Sequence, residues 1–352
     1  MNLSKFIEFP RKTLVLTGSW PQQHSSWPYL SRRIIVMTSI ALLLLALVYN
    51  ASFHFDDPIK LSESLFILIS VVNVFLKLII MVVNEKVFLN LIARLETSTF
   101  IKGGILYQPI YVKFMEIVRP VYVTYFILVC GCVTFRSSFP VFSLSSVAYD
   151  NMAIDLLVVG VVSIAAVQLQ VLNSKLRDTK QNVQFLPNYS ISNHEALTVG
   201  YLKDCCIHYS DIEEYIKCLL DMFSIIILVQ LGSSIVVICS SGMVLLSLKP
   251  LSIEAISLYF YLITMFTELG MYCWFGNFVY VESLEVINSC YLSHWEERGP
   301  AVRKTLFMLM ERAKRPLEIK AVRFFTLSFD TFIVILKWSY SYFALLRNWM
   351  AD

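Results

Sequence analysis

Five histidines, eight cysteines and a few charges inside apolar runs are the side chains of this 352-residue sequence with potential for acid–base, nucleophilic or metal chemistry. An enzyme needs such groups to converge on one spot, and these do not. His24, His194, His208 and His294 lie in segments of mixed polarity and His54 just beyond the first long apolar run, with no His-Glu-x-x-His spacing among them. That spacing would put two imidazoles on one helix face for zinc. Cys130, Cys132, Cys205, Cys206, Cys218, Cys239, Cys273 and Cys290 show neither a zinc spacing nor a disulfide framework, and read as small packed apolar residues. There is no Gly-x-Gly-x-x-Gly sequence and no Gly-Lys-Ser/Thr phosphate loop. No catalytic residue, metal site or cofactor is therefore expected.

The elements that must carry these side chains belong to a bilayer. With 57% hydrophobic residues, 16% charged and a mean hydropathy of +0.65, the chain holds more apolar surface than a soluble core can bury. The net charge of +3 is too small for a nucleic-acid footprint. A hydrocarbon core of about 30 Å needs roughly 20 apolar residues per helix, and seven such runs are present, at about 34–53, 63–83, 119–136, 153–173, 221–248, 255–280 and 328–347. Some thirty mixed residues precede the first run without a small-residue cleavage site, so it is expected to be retained. Neither internal repeats nor paired broken helices suggest a secondary transporter.

With seven spans the loops alternate between two sides. Twenty-two lysines and arginines fall on the amino-terminal side and four on the other, with Lys77, Arg119 and Lys337 inside or at the edge of spans. Basic residues accumulate in the cytosol. The expected fold is thus an all-α integral membrane protein of seven transmembrane helices, with its amino terminus cytosolic and its carboxyl terminus extracellular. Long inner segments at 84–118, 174–220 and 281–327 put extra mass on the cytosolic side. In the last of these, Val302, Leu306, Leu309, Met310 and Ala313 recur at helical spacing, as in an amphipathic helix packed on its own subunit or against a neighbour; Pro316 then stops it.

Three charges inside spans ask for a reading, because an unpaired one in hydrocarbon is costly. Lys77 is expected to snorkel to the cytosolic interface. Glu268 and Lys337 are expected either to pair or to line a watery exit.

A G-protein-coupled receptor also has seven spans, but in the opposite orientation, and this chain lacks an Asn-Pro-x-x-Tyr sequence in its last span and a cytosolic tail. The final span, Thr331-Phe-Ile-Val-Ile-Leu-Lys-Trp-Ser-Tyr-Ser-Tyr-Phe-Ala-Leu-Leu346, resembles the carboxyl-terminal signature of insect odorant receptors. Gustatory receptors carry Thr-Tyr-x-x-x-x-x-Gln-Phe there instead, so a gustatory-like homomeric channel is the alternative. Tyr272-Cys-Trp-Phe-Gly-Asn277 with Glu282-Ser283, and Phe223-Ser224 through Gln230 to Ser233-Ser234, support the resemblance, which is strong over about 200–347. The chain also lacks the long insertion between the fourth and fifth spans of the shared co-receptor, Orco, and so resembles a ligand-tuned subunit.

The resemblance implies an odorant-gated, nonselective cation channel in the plasma membrane of a sensory dendrite, formed as a heterotetramer with Orco. It divides the chain into a cytosolic segment (1–33), six helices with a ligand pocket (34–280), a cytosolic anchor helix and linker (281–327) and a pore-lining helix with a short tail (328–352). The pore face would carry Trp338, Tyr342, Leu345 and Asn348, with Leu345 as the apolar constriction and Asn348 at the mouth; Arg347 would lower cation entry. The pocket would lie in the outer half of the second, third, fourth and sixth spans, for a small volatile ligand, and the residues chosen for it are Phe66, Ile69, Phe126, Cys130, Tyr149, Tyr259 and Leu262. Membrane lipid is the remaining expected partner, and nucleic acid is not one.

Overall fold

The computed structural model describes residues 3–22, 26–53, 58–95, 100, 107–135, 141–184, 194–249, 252–322 and 325–351. After a 3-10 turn at Leu3–Phe6 come α1 (Glu8–Thr17), α2 (Trp27–Ser52), α3 (Pro58–Val83), α4 (Glu85–Arg94), α5 (Gln108–Phe135), α6 (Val141–Arg177) and α7 (Thr179–Gln184). They are followed by α8 (His194–Ser247), α9 (Ile253–Tyr291), α10 (Pro300–Ala313) and α11 (Phe329–Ala351). Between the last two, β1 (Lys320–Ala321) pairs antiparallel with β2 (Phe325–Thr326), Lys320 opposite Thr326.

Local chemistry sets the boundaries. Pro28 in the first turn of α2 forfeits only an amide hydrogen that has no partner there. Gly18 closes α1 at φ 79°, its N–H turned back to the carbonyls of Leu14 and Val15, a left-handed cap that suits glycine. At the start of α9 the Ser252 hydroxyl accepts from the Ala255 amide at 3.1 Å.

Six helices, α2, α3, α5, α6, α8 and α9, are long and apolar enough to cross a membrane. The seventh, α11, has 23 residues, about 35 Å at 1.5 Å per residue, but its apolar run is broken by Lys337 and the Ser-Tyr-Ser-Tyr stretch. Each expected span overlaps a helix longer than itself, with residue 136 outside the described residues. At 54 and 39 residues, α8 and α9 reach about 81 and 58 Å, well beyond the roughly 30 Å of hydrocarbon; their excess forms the projecting region.

The bundle is built around α6, whose apolar window is entirely buried, whereas only 11% of the corresponding window of α2 is. Accordingly α6 carries Ala153, Gly160, Ala165 and Ala166, which let neighbouring backbones approach. A Cβ at Gly160 would stand 2.7 Å from the Phe6 carbonyl oxygen. Exposed Leu42, Leu45 and Val48 on α2 suit a lipid-facing surface.

In the projecting region, polar ties join apolar burial. Glu282 on α9 accepts from Gln170 and Asn173 of α6 at 2.8 and 3.1 Å, and Arg177 pairs with Glu285. Buried His208 joins Gln168 at 2.9 Å, and Gln168 donates to the Tyr111 hydroxyl at 2.9 Å. Val302, Leu306, Leu309, Met310 and Ala313 are all buried against this chain's own helices, and Arg312 of α10 pairs with Glu213 of α8 at 2.6 Å. The apolar stripe of α10 is thus satisfied within the subunit, while Phe307 and Met308 face outward.

Candidate ligand cavity and its polar floor

A cavity of about 170 Å³ lies inside the bundle, walled by α3, α5, α6, α8 and α9. Each helix contributes residues three or four apart, which stack on one helix face: Phe66, Ser70 and Asn73 from α3, Tyr125, Val129 and Cys132 from α5, Ala148 and Asn151 from α6, Ser233 and Val237 from α8, and Tyr261, Thr264, Met265 and Glu268 from α9. The rings of Phe66 and Tyr261 pack against each other in its wall at 5.4 Å. The hydroxyls of Ser70 and Tyr261 meet at 2.6 Å, and the thiol of Cys132 lies 3.2 Å from the Thr264 hydroxyl. Both contacts tie α9 to the opposite wall.

One end of the cavity is a buried ionic cluster. Lys77 of α3 donates to Asp155 Oδ1 at 2.5 Å and Asn151 Oδ1 at 2.8 Å, both on α6, and stands 3.6 Å from Glu268 Oε1 of α9. Asn151 Nδ2 donates to the same Glu268 oxygen at 3.2 Å. Tyr272 donates to Asp155 Oδ1 at 2.7 Å and Tyr125 to Asp155 Oδ2 at 3.2 Å. The side chains of Lys77 and Asp155 are wholly buried and that of Glu268 is 2% exposed. Charges removed from solvent persist only when paired and hydrogen-bonded, and here one ammonium serves two carboxylates on two other helices. Tyr125, Asn151 and Glu268 belong both to this cluster and to the cavity wall, so the cluster forms the cavity's polar floor.

This geometry corrects two expectations. Lys77 does not snorkel: Asp155 holds it inside the bundle. Glu268 does not meet Lys337; it sits beside Lys77 and Asn151, and Lys337 is exposed on α11. The partner that sequence reasoning missed is Asp155, and a signal for it existed, since it is a carboxylate within the apolar run 153–173.

Of the residues chosen for the pocket, Phe66 lines the cavity. Ile69, Cys130, Tyr149 and Leu262 are half-buried outside its wall. Phe126 packs its ring on Phe9 at 5.7 Å, on the outer side of α5, and Tyr259 is 47% exposed. Five of these, Ile69, Phe126, Cys130, Tyr149 and Leu262, are one residue from a lining residue, which on a helix is a rotation of about 100°. The missed residues follow a polar stripe, Ser70, Asn73 and Lys77 on α3 and Thr264 and Glu268 on α9, which in a bilayer must face protein rather than lipid.

On α11, Ile335 and Ser339 are buried, and Phe343 reaches Gly242 of α8, where an added Cβ would lie 3.2 Å from its ring. Tyr342 and Leu345 are exposed, and Trp338 is partly exposed with its ring edge-on to Phe325 at 6.3 Å; the side chain of Asn348 lies outside the described residues. The entry to α11 rests on α9. A Cβ at Gly276 would come within 2.3 Å of Leu327 Cβ, so only glycine permits this approach, and the rings of Trp274 and Phe329 meet at 6.3 Å. One rigid helix therefore bears cavity residues Tyr261 to Glu268 and, two to three turns on, the seat of α11.

The family model described as 7tm Odorant receptor matches residues 132–340. The chain is similar to odorant receptor Or2 of Anopheles gambiae, 27% identical over 45% of this chain and 42% of that one. It is also similar to odorant receptor 94a of Drosophila melanogaster, 32% identical over 35% of this chain and 32% of that one. The chain thus spans less than half the length of these relatives. In fold it is similar to the olfactory receptor OR5 of Machilis hrabei, solved in complex with eugenol, with a TM-score of 0.83 at 13% identity over 99% of this chain and 98% of that one.

Proposed function

Because the chain belongs to the odorant receptor family, whose model matches more than half of it, we propose that it is a ligand-tuned odorant receptor subunit that assembles with Orco into an odorant-gated, nonselective cation channel. The observation that carries this reading is the cavity among the helices whose α9 wall continues to the seat of α11. A volatile molecule in that cavity gains binding free energy mainly by leaving water, at about 25 cal/mol per Å² of apolar surface.

Binding opens a channel only if the ligand favours the open arrangement over the closed one. The lever is α9. A ligand that presses on Tyr261, Thr264 or Met265 tilts the helix that also supports Leu327 and Phe329, and so moves α11. In the tetramer the outward face of α11, Trp338, Tyr342 and Leu345, lines the pore, with Leu345 as the apolar gate and Asn348 at the mouth. Polar Ser-Tyr-Ser-Tyr residues on a bilayer-length helix support this placement. The charge asymmetry of the loops supports a cytosolic amino terminus in the plasma membrane, and by the family's role the membrane is that of a sensory dendrite.

Cells carrying this chain with Orco should pass inward cation current on exposure to a broad volatile panel, in excised patches without GTP. A response that requires GTP would overturn the channel reading, and full currents without Orco would favour the homomeric alternative.

A further inference from the structure

We propose that the cavity selects a small neutral hydrogen-bond donor, a volatile alcohol or phenol, whose hydroxyl is accepted by Asn73 Oδ1; this rests on the receptor reading above. The direction of every bond around Asn73 follows from one proton. Ser234 spends its only hydroxyl hydrogen on the Gln230 main-chain oxygen at 2.7 Å, so its Oγ can only accept, and it accepts from Gln230 Nε2 at 3.3 Å. Gln230 Oε1 therefore faces Asn73 and takes the Asn73 Nδ2 hydrogen at 2.7 Å. The amide orientations are thereby set, and Asn73 Oδ1 is left as a buried acceptor without a donor, on a residue that lines the cavity and is 5% exposed.

The other polar groups of the wall serve one another. Ser70 is engaged with Tyr261 and the Phe66 carbonyl, Thr264 donates to the Phe260 carbonyl, and Asn151 is spent between Lys77 and Glu268. What the site lacks is a donor. Ethers, aldehydes and hydrocarbons bring none, and an ammonium would have to shed its hydration for polar groups that already serve one another and a Glu268 carboxyl that already faces Lys77. Size follows from the volume: about 170 Å³ is close to the roughly 150 Å³ that accommodates benzene.

The test is ligand-induced stabilisation of the full-length chain in detergent, titrated with 1-hexanol and with its isomer methyl pentyl ether, which differ in the O–H. The alcohol should bind about 3- to 10-fold more tightly, the range a single buried hydrogen bond supplies. Asn73→Leu alone strips Gln230 Oε1 of its donor and can impair folding. The paired Asn73→Leu, Gln230→Leu variant removes both partners, and should bring the ratio to about one while keeping ether binding. Equal binding of the two probes to the unmodified chain, a ratio that survives in the paired variant, or binding of neither probe would overturn the inference. Because the readout needs neither Orco nor current, binding with the expected ratio in a chain that never conducts refutes only the channel reading. Currents evoked by hydrocarbons in a chain with a ratio of one refute only the alcohol selectivity.

Discussion

Replacing Lys77 with methionine should be the most damaging single change in the membrane bundle, and the cluster's stoichiometry says why. One ammonium faces Asp155 at 2.5 Å and Glu268 at 3.6 Å, with all three side chains cut off from solvent. Lys77→Met leaves two carboxyls without a cation and deprives the Asn151 carbonyl of its donor. Breaking a buried pair in this way costs about 3–5 kcal/mol. Glu268→Gln, by contrast, leaves Lys77 and Asp155 as a matched pair and keeps an oxygen for Asn151, so it should cost about 1 kcal/mol or less, a neutral hydrogen bond's share. Asp155→Asn falls between them, since Glu268 can still neutralise Lys77 while Tyr125 and Tyr272 lose a charged acceptor. The assay is thermal unfolding of the purified chain in detergent for the three variants, together with Lys77→Met, Asp155→Leu, which should recover part of the loss because the lone charges are reduced. If Glu268→Gln proves as destabilising as Lys77→Met, or if Lys77→Met is neutral, one lysine is not serving two acids and the account of the floor is wrong.

Gly276→Ala should uncouple binding from gating: the new Cβ would overlap Leu327, 2.3 Å away, so maximal current should fall while ligand-induced stabilisation stays within about twofold. Phe66→Ala should enlarge the cavity and shift preference to bulkier ligands at about 3 kcal/mol of stability, with unitary conductance unchanged; a conductance change would move Phe66 to the pore. Leu345→Ala should leak or shift the open–closed balance, because a smaller apolar residue wets more readily, and current indistinguishable from the unmodified chain would remove Leu345 from the gate.

Much of the fold was legible in the linear chain, because a bilayer imposes length and apolarity on each span. The stripe Val302, Leu306, Leu309, Met310 and Ala313 likewise announced which face of α10 would be buried, since amphipathicity states the face and the chain's own helices were there to meet it. The final span resembled its family through residues that need no partner to be recognised.

The cavity was another matter. Helical periodicity states that residues three and four apart share a face, but not which face meets the neighbours when a whole span is apolar, so Ile69, Phe126 and Leu262 have the right period and the wrong phase. Only packing around α6 decided that Ser70, Tyr125 and Tyr261 turn inward. The same holds for Lys77, visible in the sequence as a charge in a span, whose fate depended on a carboxylate 78 residues away and on another from α9. Electrostatic pairing acts over a few ångströms of space, and a linear sequence records no such distance.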